Sequence, residues 1–70
     1  DLHISAVPAS IKEFLQKSQY ASALLEDSEI DYIQTPDGNF YQFELVYNGA
    51  RVKINVTEDG KVSLAGLDLW

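Results

Sequence analysis

Asp31 and Glu44 are the residues whose types could do acid–base chemistry together, because the strand pattern sets them side by side with Lys53 next in the row. A close carboxylate pair can hold a proton at a raised pKa and serve as general acid or base. The setting argues against catalysis. All three fall on a flat sheet face without a cleft to exclude water, and no Ser with His, Cys with His or glycine-rich phosphate loop supports them. An ion-paired row across three strands, stabilising by roughly a few tenths of a kcal/mol per pair, accounts for the same residues. The sequence thus predicts no enzyme and no cofactor.

Three other features invite chemistry and fail on spacing. His3 could ligate a metal, but no second His and no Cys exist to complete a site. The acidic run Glu26-Asp27-Ser28-Glu29-Ile30-Asp31 suggests calcium, yet a loop starting at Asp27 would need glycine where Tyr32 stands and glutamate where Gly38 stands. A solvated edge strand, whose charges block aggregation, is the better account. Asn55-Val56-Thr57 matches a glycosylation sequon but falls in mid-strand.

The elements that would position these residues follow from register. Tyr41, Phe43, Leu45 and Tyr47 alternate with a mostly polar set, and Val52, Ile54 and Val56 do the same one strand later. Between them Asn48-Gly49 tolerates positive φ at both positions and closes a two-residue turn. Tyr47 then faces Ala50, Leu45 meets Val52, Phe43 meets Ile54 and Tyr41 meets Val56 on one face. Glu44 meets Lys53 and Gln42 meets Asn55 on the other. A three-residue Glu58-Asp59-Gly60 loop with Gly60 at positive φ sets Val62 opposite Val56 and Leu64 opposite Ile54, whereas a two-residue loop would turn both into solvent. Gly60→Val is expected to destabilise the domain, and Gly60→Asn to be nearly silent.

Thr35-Pro36-Asp37-Gly38-Asn39 is a turn by composition. A four-residue loop over 36–39 would set Tyr32 opposite Phe43 and Ile30 opposite Leu45, the register that places Asp31 beside Glu44. All three registers converge on one core face of Ile30, Tyr32, Tyr41, Phe43, Leu45, Val52, Ile54, Val56, Val62 and Leu64. Upstream, Pro8 suits the first helical position, and Val7, Ile11, Phe14 and Leu15 recur at helical spacing opposite Lys12, Glu13, Gln16 and Lys17. Residues 19–23 read as a corner, with Tyr20 tucked under the sheet edge. The predicted fold is α+β: one N-terminal helix over about 8–18 packed on one face of a four-stranded antiparallel meander at about 24–35, 40–47, 50–57 and 61–65.

Composition bounds the partners. At 70 residues and 46% hydrophobic content the chain makes one small folded domain, with a net stability of about 3–5 kcal/mol. With no Cys it has neither disulfide nor thiolate site. Its net charge of −6 and five scattered cations disfavour nucleic acid and anionic membrane surfaces. Nothing is long and apolar enough to insert in a membrane. The opening Asp1 is the start expected of a trimmed piece, or of a mature protein whose targeting segment has gone.

In this order of parts, Val7-Pro8-Ala9-Ser10-Ile11 opens the helix, an extended segment follows, then Phe40-Tyr41-Gln42-Phe43-Glu44-Leu45, Asn48-Gly49, Val52-Lys53-Ile54-Asn55-Val56 and Glu58-Asp59-Gly60-Lys61-Val62. The chain resembles the PepSY-like domains, whose fold is similar to each half of the β-lactamase-inhibitor protein, and the resemblance covers nearly its whole length. It implies an exported bacterial protein, periplasmic or secreted, found alone, in tandem or flanking a peptidase, and acting by binding. No catalytic residue belongs to the family. The chain departs from the usual pattern at Tyr20-Ala21-Ser22, where Pro-Gly often follows the helix.

Two functions are therefore expected. The first is a non-catalytic protein-binding module, peptidase-binding or inhibitory, that presents the hairpin tips or the open face of Phe40, Gln42, Glu44, Val46, Arg51, Lys53 and Asn55 to a protein partner. The alternative is an assembly unit, one copy of a tandem or homodimer, suggested by the small core and by Leu67, Leu69 and Trp70, which the strand pattern does not place.

Overall fold

The computed structural model describes residues 2–24 and 28–68. A 3-10 turn (Ile4–Ala6) leads into helix α1 (Ala9–Gln16), a second 3-10 turn (Ala21–Ala23) makes the corner, and four strands follow: β1 (Glu29–Thr35), β2 (Gly38–Tyr47), β3 (Ala50–Thr57) and β4 (Val62–Asp68). They form one antiparallel sheet in the order β1-β2-β3-β4, so the chain is an α+β meander with one helix.

Pro8 lies one position earlier than expected. It is the cap residue at φ −55° and ψ 145°, and its carbonyl accepts from the amides of Ile11 and Lys12 at 3.1 and 3.2 Å. The helix ends early because Ser18 folds back, its hydroxyl donating to the Leu15 carbonyl at 2.5 Å and accepting from the Tyr20 amide at 3.1 Å. Val7, Ile11 and Leu15, four apart, are buried against the sheet, each burial stabilising by about 1.5–3 kcal/mol. Lys17 pairs with Glu13 at 3.0 Å on the solvent side.

Two turns match expectation. Asn48 and Gly49 take φ of 54° and 80°, and Tyr47 pairs with Ala50. In the last hairpin Gly60 takes φ 99°, its amide donates to the Thr57 carbonyl at 3.1 Å, and Val62 and Leu64 stand opposite Val56 and Ile54. That pairing is the three-residue loop.

The first hairpin corrects the sequence reading. Its loop is Pro36-Asp37 alone, with Thr35 opposite Gly38, Tyr32 opposite Tyr41 and Ile30 opposite Phe43. Gly38 makes the tighter loop feasible, since its φ of 133° is closed to residues with a side chain, and the Thr35 hydroxyl locks the closure at 2.5 Å from the Gly38 carbonyl. The slip is two residues, so each side chain keeps its face while its neighbour changes. Strand β1 also starts at Glu29 and not near Leu24, which instead caps the second 3-10 turn.

The core is narrower than the predicted face. Ile30, Phe43, Leu45, Val52, Ile54 and Val56 are buried, and Tyr41 and Val62 pack half-buried against them. Tyr32 and Leu64 remain 38% and 51% exposed. An eight-residue helix is about 12 Å long and four strands span roughly 19 Å, so one helix leaves the flanks of the sheet uncovered. Strand β4 runs beyond 65: a bulge at Lys53/Ile54 inserts Ala65, after which Gly66 pairs with Lys53, Leu67 with Val52 and Asp68 with Arg51. Leu69 and Trp70 lie outside the described residues. On the opposite edge, the Leu2 amide donates to the Ile30 carbonyl at 2.6 Å and closes part of β1.

Candidate functional site

Alternation in β1 to β3 turns one set of residues away from the helix. In the middle row Asp31 stands opposite Gln42 and Gln42 opposite Asn55, whose side-chain oxygen accepts from the Gln42 amide nitrogen at 3.0 Å. The next row holds Glu29, Glu44 and Lys53, and the one beyond it Val46 and Arg51. At the other end Ile33, Phe40 and Thr57 stand in line. All seven expected surface residues, Phe40, Gln42, Glu44, Val46, Arg51, Lys53 and Asn55, thus share the open face. Val46 is 60% exposed at its margin, while Phe40, Gln42 and Asn55 are half-buried by their neighbours.

The expected Asp31 and Glu44 pair is not formed as a directly opposed pair. The shifted register puts Glu29 opposite Glu44 and moves Asp31 to the diagonal. Among the described residues neither Glu29 nor Glu44 has a cation within 4.0 Å, so the ion-paired row is not closed even though Lys53 lies opposite Glu44.

Three hollows flank these residues, and each is open to solvent. One of about 300 Å³ lies between the corner and the sheet, lined by Ala23, Ser28, Glu29, Glu44, Leu45, Val46 and Arg51. One of about 90 Å³ lies among Glu29, Asp31, Gln42, Glu44 and Lys53 on the open face itself. The third, of about 410 Å³, sits between the tips of the first and last hairpins, lined by Thr35, Asp37, Gly38, Asn39, Phe40, Thr57, Glu58 and Asp59.

Local contacts account for the remaining candidates. His3 caps the first 3-10 turn, its Nδ1 accepting from the Ser5 amide at 3.1 Å and lying 2.8 Å from the Ser5 hydroxyl. Among the described residues no three His, Cys, Asp or Glu side chains converge to hold a metal ion. No described helix is long and apolar enough to cross a membrane. Asp59 is held below the usual carboxylate range, first by the Thr57 hydroxyl that donates to it and then by neighbouring backbone amides and Lys61.

Comparison with protein-family models, with curated proteins and with solved structures finds no match.

Sequence reasoning did not find the aromatic arrangement on the helix side. Tyr20 meets Tyr47 edge-on with centroids 4.9 Å apart, and Tyr32 meets Tyr41 at 4.8 Å and 44°. Burial pushes the Tyr41 hydroxyl pKa up, helped by the negative charge of Tyr32 and Glu58. The signal for the second pair was Gly38, since the two-residue loop it permits is what sets the tyrosines opposite each other.

Proposed function

We propose that this chain is a non-catalytic protein-binding module whose docking surface is the open sheet face. The observation that carries the reading is the one-sided cover: α1 covers the centre of one face, and the other keeps Val46 exposed beside Arg51, Lys53 and Glu44. A face mixing apolar side chains with charges of both signs suits a protein surface better than a polyanion or a small molecule. The resemblance to PepSY-like domains points the same way, to a periplasmic or secreted protein that binds or inhibits a peptidase.

Pull-down from native extract with the wild type and with a Phe40→Ser/Val46→Ser variant tests the face. Loss of a captured protein by the folded variant supports it, and equal recovery by both sinks it.

A second reading is an assembly unit, one copy of a tandem or homodimer joined through an edge strand. Leu64 favours it, being 51% exposed on the outermost strand. Light scattering of a Leu64→Ser variant across concentration separates this reading from the first, since only edge pairing would be weakened.

A further inference from the structure

On β1 to β3 the charges of the open face are sorted by strand. Glu29, Asp31 and Glu44 stand on β1 and β2, whereas Arg51 and Lys53 stand on β3. On β4, Asp68 stands opposite Arg51 and belongs to the same row. Acid on β2 and base on β3 make the centre of this face complementary to itself when turned the right way.

Two sheets packed face to face by symmetry share a two-fold axis lying between them, and the choice of axis decides which residues meet. An axis parallel to the strands lays β2 of one copy over β3 of the other. Glu44 then faces Lys53 of the second copy, twice over, and Val46 lies over the stem of Arg51. In the middle row Gln42 lies over Asn55, and because within each chain Gln42 Nε2 donates one hydrogen bond to Asn55 Oδ1, Gln42 Oε1 and Asn55 Nδ2 remain to serve the facing pair. An axis across the strands would instead lay each strand on its own twin, acidic β1 with Glu29 and Asp31 on β1 and basic β3 with Arg51 and Lys53 on β3. Opposite charges meet in the first arrangement and like charges in the second, which selects the first.

We infer that the open sheet face takes a second copy of this chain, packed face to face about a two-fold axis parallel to the strands. The inference rests on reading that face as a docking surface and names its occupant. Four strands about 4.8 Å apart and about seven residues long, at about 3.3 Å each, offer a footprint of roughly 440 Å² per copy, well under the ~800 Å² of a standard stable interface. The dimer is therefore weak and concentration-dependent.

Sedimentation equilibrium of the whole chain, with circular dichroism to verify folding, tests the pairing. The wild type should be monomeric at about 1 μM and self-associate towards about 1 mM, and Glu44→Lys or Lys53→Glu alone should weaken association by about tenfold or more. An equimolar mixture of the two variants should recover it, because each substituted side chain then faces an opposite charge on the other copy. A wild type that stays monomeric, single substitutions without effect, or a folded mixture that fails to recover would each overturn the inference. If the wild type stays monomeric while Phe40→Ser/Val46→Ser abolishes capture of a different protein, the second copy is excluded and the docking face stands. If the double serine variant both associates and captures as the wild type does, the face itself is misassigned.

Discussion

Gly60 lies against the ring of Phe14: a Cβ added to the glycine would sit 3.0 Å from Phe14 Cε1 and 3.1 Å from Cζ. The last hairpin therefore needs glycine twice, for its φ of 99° and for the room the helix leaves it. The second requirement corrects the expectation that asparagine would be silent there, since asparagine tolerates left-handed backbone yet brings the same Cβ. Gly60→Val should cost about 2 kcal/mol or more of a stability of about 3–5 kcal/mol, and Gly60→Asn about 1 kcal/mol. In a Phe14→Leu background the cost of Gly60→Asn should fall by about 0.5 kcal/mol or more, measured as a double-mutant cycle in urea. Additive effects would mean that the ring does not press on the loop.

Phe43 and Val46 lie on the same strand and on opposite faces, one fully buried and the other 60% exposed. Phe43→Ala should cost about 3–5 kcal/mol, as much as the whole domain is expected to have, and leave the chain unfolded. Val46→Ala should stay within about 0.5 kcal/mol of the wild type. Amide shift dispersion in a proton–nitrogen NMR spectrum reads both, and a folded Phe43→Ala variant would contradict the placement of the core.

How far the fold was legible depended on how local its determinants are. Asn48-Gly49 and Glu58-Asp59-Gly60 carry their turn geometry in their own residues, and the alternating strands beside them leave a single parity. The same alternation identified the seven open-face residues. It could not separate a two-residue from a four-residue first loop, because the two differ by an even number and put the same side chains on the same face. The neighbour of Glu44 was therefore misread as Asp31 when it is Glu29. Nor could it show that Tyr32 and Leu64 escape cover or that Phe14 reaches Gly60, since both depend on where a short helix lies across the sheet.

Gly38 is the residue on which that register turns. Its φ of 133° suits glycine only, yet a Cβ there would meet nothing within 4 Å, so any penalty is conformational and not steric. Gly38→Ala should cost about 1–3 kcal/mol. A synthetic chain carrying D-alanine at this position should instead match or slightly exceed the wild type, by up to about 1 kcal/mol, because the mirror-image residue favours positive φ and restricts the unfolded chain. Thermal unfolding of the two chains decides the matter. Equal stability would place the loop elsewhere.

Tyr41 ties the alkaline limit of the domain to the same register. Its pKa is raised above the ordinary 10.0, first by burial and then by the negative charge of Tyr32 and Glu58. A raised value in the folded state means that the unfolded chain gives up this proton first as pH climbs. Stability is therefore intact below about pH 10 and falls as pH rises through the ordinary value towards the folded one. Tyr41→Phe should flatten this part of the decline, and Tyr32→Phe should flatten it less, because burial of Tyr41 is the larger cause of its raised pKa. Urea unfolding at a series of alkaline pH values, with phenolate absorbance followed in each variant, measures both effects. If Tyr32→Phe flattens the decline as much as Tyr41→Phe, the charge of the facing tyrosine, and not the packing beneath Tyr41, is what holds the proton.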